Sequence, residues 1–181
     1  LKNFIQYYFI DKFEYSHLIK INKNISFIWR NKDKESHTET LLKLSGFCQR
    51  NQRKLYISND IKLAFRVKAD GVYISSTNND LNIKYFQLRN NFKILGSAHN
   101  LKEIRLKELQ NVVEVFLSPL FKDKINKQLN VYRYLNLRKL TFIKDISLGG
   151  INNKNIKKLE LIKPYGFAGI SYFNKKKAPK N

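Results

Sequence analysis

The sequence predicts an α/β chain: a TIM (β/α)8 barrel with a missing or vestigial eighth helix. Three observations predict it. Eight short runs rich in β-branched and aromatic residues recur along the 181 residues, separated by seven stretches of helical character. Polar and glycine residues gather just after those runs, where such a barrel places its working face. The eighth run is followed only by "NKKKAPKN", which leaves no room for an eighth helix.

In order, the strand runs are "FIQYYFI" (4–10), "ISFIW" (25–29), "KLYIS" (54–58), "GVYIS" (71–75), "FKILGSA" (92–98), "VVEVFLS" (112–118), "LTFIKDISL" (140–148) and "GFAGISYF" (166–173). A repeating βα series forms either a doubly wound sheet or a closed barrel. The count of eight favours the barrel, although barrels of this type usually run to ~250 residues. Among the helical stretches, "SHTETLLKLSGFCQRN" (36–51) opens with a Ser36-x-x-Glu39 capping box. It places Leu41, Leu42 and Leu44 with Phe47 on one side. "NLKEIRLKELQN" (100–111) opens on an Asn100 cap with Glu103 three residues on, and "NNKNIKKLELIKP" (152–164) stops at Pro164. A single domain over 1–181 is expected, with its core at about 5–173 and a basic tail at 174–181.

Composition narrows the class. Hydrophobic residues at 43% and aromatics at 13% exclude a disordered chain. No apolar run approaches the ~20 residues of a membrane span, and no signal-peptide pattern opens the chain. One cysteine, Cys48, can form neither an internal disulfide nor a cysteine metal site. No membrane association and a cytoplasmic location are expected. Thirty-five Lys and Arg against fourteen Asp and Glu give a net charge of +21. The lysines are spread evenly amid abundant Asn and Ile, a pattern of AT-rich coding, so a nucleic-acid surface is not expected.

The glycine pair at 149–150 in "ISLGGINNKN" stands directly after an apolar run. Two readings fit it: backbone N–H groups exposed to a phosphate, or a tight turn with no ligand.

Five segments carry a resemblance. "YISNDIKLAFRVKADGVYIS" (56–75), "ILGSAHN", "FLSPLF", "ISLGGINNKNI" and "GFAGISYF" resemble, in order, blocks of the thiamine phosphate synthase and TenI family. The resemblance runs from about Tyr8 to Phe173. It implies a barrel that joins hydroxymethylpyrimidine diphosphate to a thiazole phosphate, giving thiamine phosphate and diphosphate. Such chemistry neutralises a leaving diphosphate, usually with Mg²⁺ and cationic side chains.

By resemblance, Arg30 and Lys32 bind the diphosphate, Asn59 contacts it, and Asp60 ligates Mg²⁺. Ser97 lines the diphosphate pocket, and His99 matches the acid/base candidate of TenI-type tautomerases. Gly149 and Gly150 match the backbone that binds the thiazole phosphate, completed by Gly169 and Ser171. The chain also departs from the pattern. Ile28 replaces a Gln, Tyr73 a His, and Ser75-Ser76 a Gly-Gln pair. Asn78 stands where a second metal-binding Asp is expected. Lys122, Lys124 and Lys127 supply charge in a loop that lacks the family's threonines. The alternative is a TenI-like thiazole phosphate tautomerase, or a member that binds thiazole phosphate without catalysis. Phosphorylated small molecules are the expected ligands. Self-association is expected through the groove between the first and seventh helices, exposed by the missing eighth.

Overall fold

The computed structural model describes residues 4–30, 38–88, 91–121 and 129–174. Eight parallel strands form one closed barrel in sequence order. They are β1 (Ile5–Ile10), β2 (Ile25–Trp29), β3 (Leu55–Ser58), β4 (Gly71–Ile74), β5 (Lys93–Ala98), β6 (Glu114–Leu117), β7 (Lys144–Leu148) and β8 (Gly166–Gly169). β8 pairs back onto β1, with Tyr8 opposite Gly169. Every expected strand run contains its strand. The seventh is shorter than the apolar pattern: Phe142 belongs to the preceding loop and is fully exposed.

Period-two alternation separates two cores. Tyr7, Phe9, Ile28, Tyr56, Tyr73, Leu95, Phe116, Ile146 and Ala168 fill the barrel interior. The intervening residues, such as Tyr8, Ile10, Phe27 and Trp29, face the helix layer. The interior is unusually aromatic: the Tyr73 ring lies 5.2 Å from Phe9 and 5.1 Å from Phe116. At its lower end the Tyr7 hydroxyl donates to the buried Glu114 carboxylate at 2.5 Å.

The connections carry α1 (Tyr15–Leu18), α2 (Thr38–Arg50), α3 (Ile61–Arg66), a 3-10 helix (Leu81–Leu88), α4 (Leu101–Leu109), α5 (Val131–Lys139) and α6 (Lys158–Ile162). In α2, Leu41, Leu44 and Phe47 are buried as expected, but Leu42 is turned to solvent and Cys48 takes its place. The capping residue Ser36 lies outside the described residues. On α4 the cap is as read: the Asn100 side chain accepts the Glu103 N–H at 3.0 Å. Helix α6 is much shorter than its pattern, because Asn152 and Asn155 bend the chain into turns before Lys158.

Among the described residues no helix follows β8. Residues 170–174 instead turn back, with the Phe173 and Asn174 N–H groups both donating to Ile170 O. The turn lays Phe173 flat on Phe167, with ring centroids 5.9 Å apart, and tilts it against Tyr8 at 5.2 Å. Tyr172 meets Phe167 edge-on. Two aromatics thus cover the outer face of β8, where a helix would otherwise lie. The groove of about 610 Å³ left beside α1 is mixed in character: Ile21, Ile25 and Phe173 expose apolar surface there beside Gln6, His17 and Lys20.

Candidate active site at the mouth of the barrel

On the β5–β8 side, Gly149, Gly150, Gly169, Ser171, His99 and Ser118 line a cup of about 250 Å³. Its shape is set by backbone. Gly149 and Gly150 have φ of +93° and +68°, which L side chains rarely adopt. A Cβ on Gly149 would lie 2.6 Å from Pro119 Cβ, and one on Gly150 would lie 2.7 Å from the Phe121 carbonyl oxygen. The turn therefore requires both glycines, whatever binds there.

The same turn aims amides outward. Gly149 O accepts the Phe121 N–H at 3.2 Å. Gly150 O accepts from the Asn155 and Asn152 side-chain amides at 2.7 and 3.2 Å. In a trans peptide the N–H points opposite the C=O. Gly150 N–H is thus directed away from the β6 loop, and Ile151 N–H away from the asparagines. Among the described residues neither donates to any acceptor. The two readings of the glycine pair are compatible: the tight turn is what exposes the donors.

His99 stands on the cup wall with its Nδ1 2.7 Å from Ser118 O. A carbonyl can only accept, so Nδ1 carries the proton and, in the neutral ring, Nε2 carries the lone pair. Ser97 does not reach the cup. It points into the barrel interior, where its hydroxyl hydrogen-bonds Tyr73. Burial pushes the Tyr73 hydroxyl up to about 12.

On the β2–β4 side the expected ligands already have protein partners. Arg30 makes a two-pronged ion pair with Asp11, Nε to Oδ1 at 2.6 Å and Nη2 to Oδ2 at 2.5 Å. Asn59, at φ +57°, donates its N–H to Tyr73 O and accepts the Ser75 N–H on Oδ1, so it ties β3 to β4. Asp60 Oδ1 caps α3 by accepting the Leu63 N–H at 2.8 Å. Asn78 Oδ1 accepts from both Asp80 N and Gln110 Nε2, at 3.0 and 3.1 Å. Both of its lone pairs are occupied. Among the described residues no three His, Cys, Asp or Glu side chains group closely enough to hold a metal ion. Lys32, Lys122, Lys124 and Lys127 lie outside the described residues.

Two features escaped the sequence reading. Asp11 is an acidic residue directly after β1, a signal available in so basic a chain. The second is a clamp from α4. Fully buried Lys107 donates to Asn78 O at 3.0 Å, and buried Gln110 donates to Asn78 O and Asp80 O, both at 3.0 Å. Burial lowers the Lys107 ammonium to about 8. A lysine three residues after Ile104 reads as core-facing only once the packing is known.

The sequence profile described as thiamine monophosphate synthase matches residues 19–173. The chain belongs to that family. A thiamine-phosphate synthase of Staphylococcus epidermidis is 29% identical over 129 residues, covering 67% of this chain and 59% of its own length. One from Staphylococcus haemolyticus is 30% identical, covering 68% and 58%. The chain thus spans rather less than two thirds of these curated relatives. Among solved structures, a thiamine phosphate pyrophosphorylase from Pyrococcus furiosus superposes with a TM-score of 0.72 at 16% identity, covering 94% of this chain and 87% of that one. One from Bacteroides thetaiotaomicron gives 0.62 at 17%, covering 98% and 88%. At those identities the likeness speaks for the barrel alone. Among the described residues no helix is long and apolar enough to cross a membrane.

Proposed function

We propose that the chain acts in the cytoplasm as a thiamine phosphate synthase, coupling hydroxymethylpyrimidine diphosphate to thiazole phosphate. The observation that carries this reading is the glycine cup, whose outward Gly150 and Ile151 N–H groups suit a phosphate monoester. There the thiazole phosphate would be oriented, with Ser171 beside it. The bond from the pyrimidine methylene carbon to the diphosphate oxygen breaks, and the thiazole nitrogen captures that carbon. Arg30 holds the departing diphosphate on the neighbouring rim, beside the ends of β1 and β2. Beneath, the packed rings of Phe9, Tyr73 and Phe116 form a largely apolar floor suited to keeping water from the cation.

Asp60 fits a Mg²⁺ ion only partly. With Oδ1 committed to its helix cap, Oδ2 remains, and Mg²⁺ is commonly held by one or two carboxylates plus substrate phosphates. Asn78, with its oxygen occupied, does not complete the set. When bound, the ion would neutralise charge on the leaving diphosphate.

The test is purified protein with both substrates and Mg²⁺, scored by thiamine phosphate formed. Asp60→Ala should abolish product. Ser171→Glu, which adds a carboxylate to the cup without backbone strain, should weaken thiazole phosphate binding at least about tenfold. If thiazole phosphate isomerises without coupling, and His99→Ala but not Asp60→Ala stops it, the synthase reading is overturned.

A further inference from the structure

Resting on that reading, the geometry points to Asp11 as the positioning residue that presents Arg30 to the diphosphate. Asp11 takes the Nε–H and one Nη2–H, the side-on edge. The end-on edge, made of Nη1 and the second Nη2–H, is the other face able to meet an anion with two parallel hydrogen bonds. An arginine so held offers a phosphate a flat, fixed, two-pronged edge. Unheld, it would have to give up rotamer freedom on binding.

The pair's location supports this role over a stabilising one. The two side chains keep 28% and 29% of their surface exposed, and ion pairs that meet water contribute little to folding. The backbone sets the geometry: Arg30 N–H donates to Ile10 O at 2.9 Å, which places the ends of β1 and β2 side by side. Arg30, Asp11 and Lys12 line a cavity of about 270 Å³ at the rim. That cavity shares Ile170 with the glycine cup, so the two anion-binding edges adjoin.

The test sets positioning against plain electrostatics, which predict opposite signs. Removing the Asp11 carboxylate makes the rim more positive, so Coulomb attraction alone would tighten binding of inorganic diphosphate. Lost positioning would weaken it. Asp11→Asn is expected to weaken diphosphate binding about tenfold, the size lost when the outer partner of a ligand group is removed, and Asp11→Glu to restore most of it. NMR of ¹⁵N-arginine protein, with Arg30→Lys for assignment, reads the geometry directly. Added diphosphate should shift the Arg30 Nη signals and leave Nε in place. Tighter binding by Asp11→Asn, or an Nε signal that moves with diphosphate, overturns the role of Asp11 alone. Wild-type protein that binds no diphosphate overturns the synthase reading together with it.

Discussion

The two sides of the barrel mouth are built on opposite plans. On the β5–β8 side the donors are backbone amides, aimed by a glycine turn and fixed before any ligand arrives. On the β2–β4 side the candidate groups are side chains, and each is already engaged: Arg30 by Asp11, Asp60 by its helix, Asn59 by Ser75 and Asn78 by Gln110. A phosphate can enter the first side without displacing a protein contact. On the second side, ligands must use a free edge or exchange partners. Backbone sites withstand sequence drift because they depend on turn shape. Side-chain sites change with single substitutions, as at Ile28, Tyr73 and Asn78, and as with the threonines missing from the loop after β6.

The largest expected effect breaks the cup itself. Gly150→Val forces a side chain onto the Phe121 carbonyl at a φ of +68°. It should lower stability by at least about 1–3 kcal/mol and abolish thiazole phosphate binding. The contact with Phe121 makes the change costly to the fold as well as to the ligand. Urea denaturation beside calorimetric titration separates the two losses. Unchanged stability would show that the β6 loop yields.

Phe173→Ala tests whether the turn after β8 replaces a helix. It removes a buried ring stacked on Phe167, and a loss of about 3 kcal/mol is expected. Sedimentation of wild type and variant, at low and high salt, would also check self-association through this seam. A net charge of +21 opposes it, so any dimer should strengthen as salt screens the repulsion.

A smaller effect is expected where β7 meets α5. The Tyr134 hydroxyl donates to Asp145 at 2.6 Å and accepts from Ser147 at 2.9 Å, all buried. Tyr134→Phe leaves both partners short and should cost about 1–3 kcal/mol. Thiazole phosphate affinity should hold; a parallel loss would mean that the cup depends on this network.

A pH dependence arises from the clamp behind Asn78. Folding lowers the Lys107 ammonium from 10.5 to about 8. Between those values the unfolded chain binds more protons than the folded one, so stability rises with pH across that window. Lys107→Met should flatten the rise. Equal slopes in the two proteins would place the ammonium in contact with solvent.

The fold was legible because each strand run is short, apolar and followed by a polar break, so eight repeats could be counted. Helix extents were less legible where side-chain hydrogen bonds compete with the backbone, as at Asn152 and Asn155 ahead of α6. At the site, Gly149, Gly150, Gly169, Ser171 and His99 do meet around one cup. Ser97, expected at the diphosphate pocket and not in this cup, is turned by alternation along β5 inward to Tyr73. Asp11 stood out as an acidic residue after β1, but its partner, like those of Lys107 and Gln110, could not be assigned from residue type alone. Their roles depend on which carbonyl or cation lies across the gap, and that is decided by strand register and helix packing.

Trp29, the sole tryptophan, precedes Arg30 but points the other way, into the layer between barrel and helices. The residue is 3% exposed, and among the described residues its Nε1–H finds no partner. Excited in so dry a setting, the indole should emit at short wavelength and shift to the red when the layer opens to water. Ligands arriving in the mouth lie on the opposite face of β2 and should leave the emission unchanged. The chain therefore carries its own optical control, able to separate a variant that has lost its fold from one that has lost only its ligand.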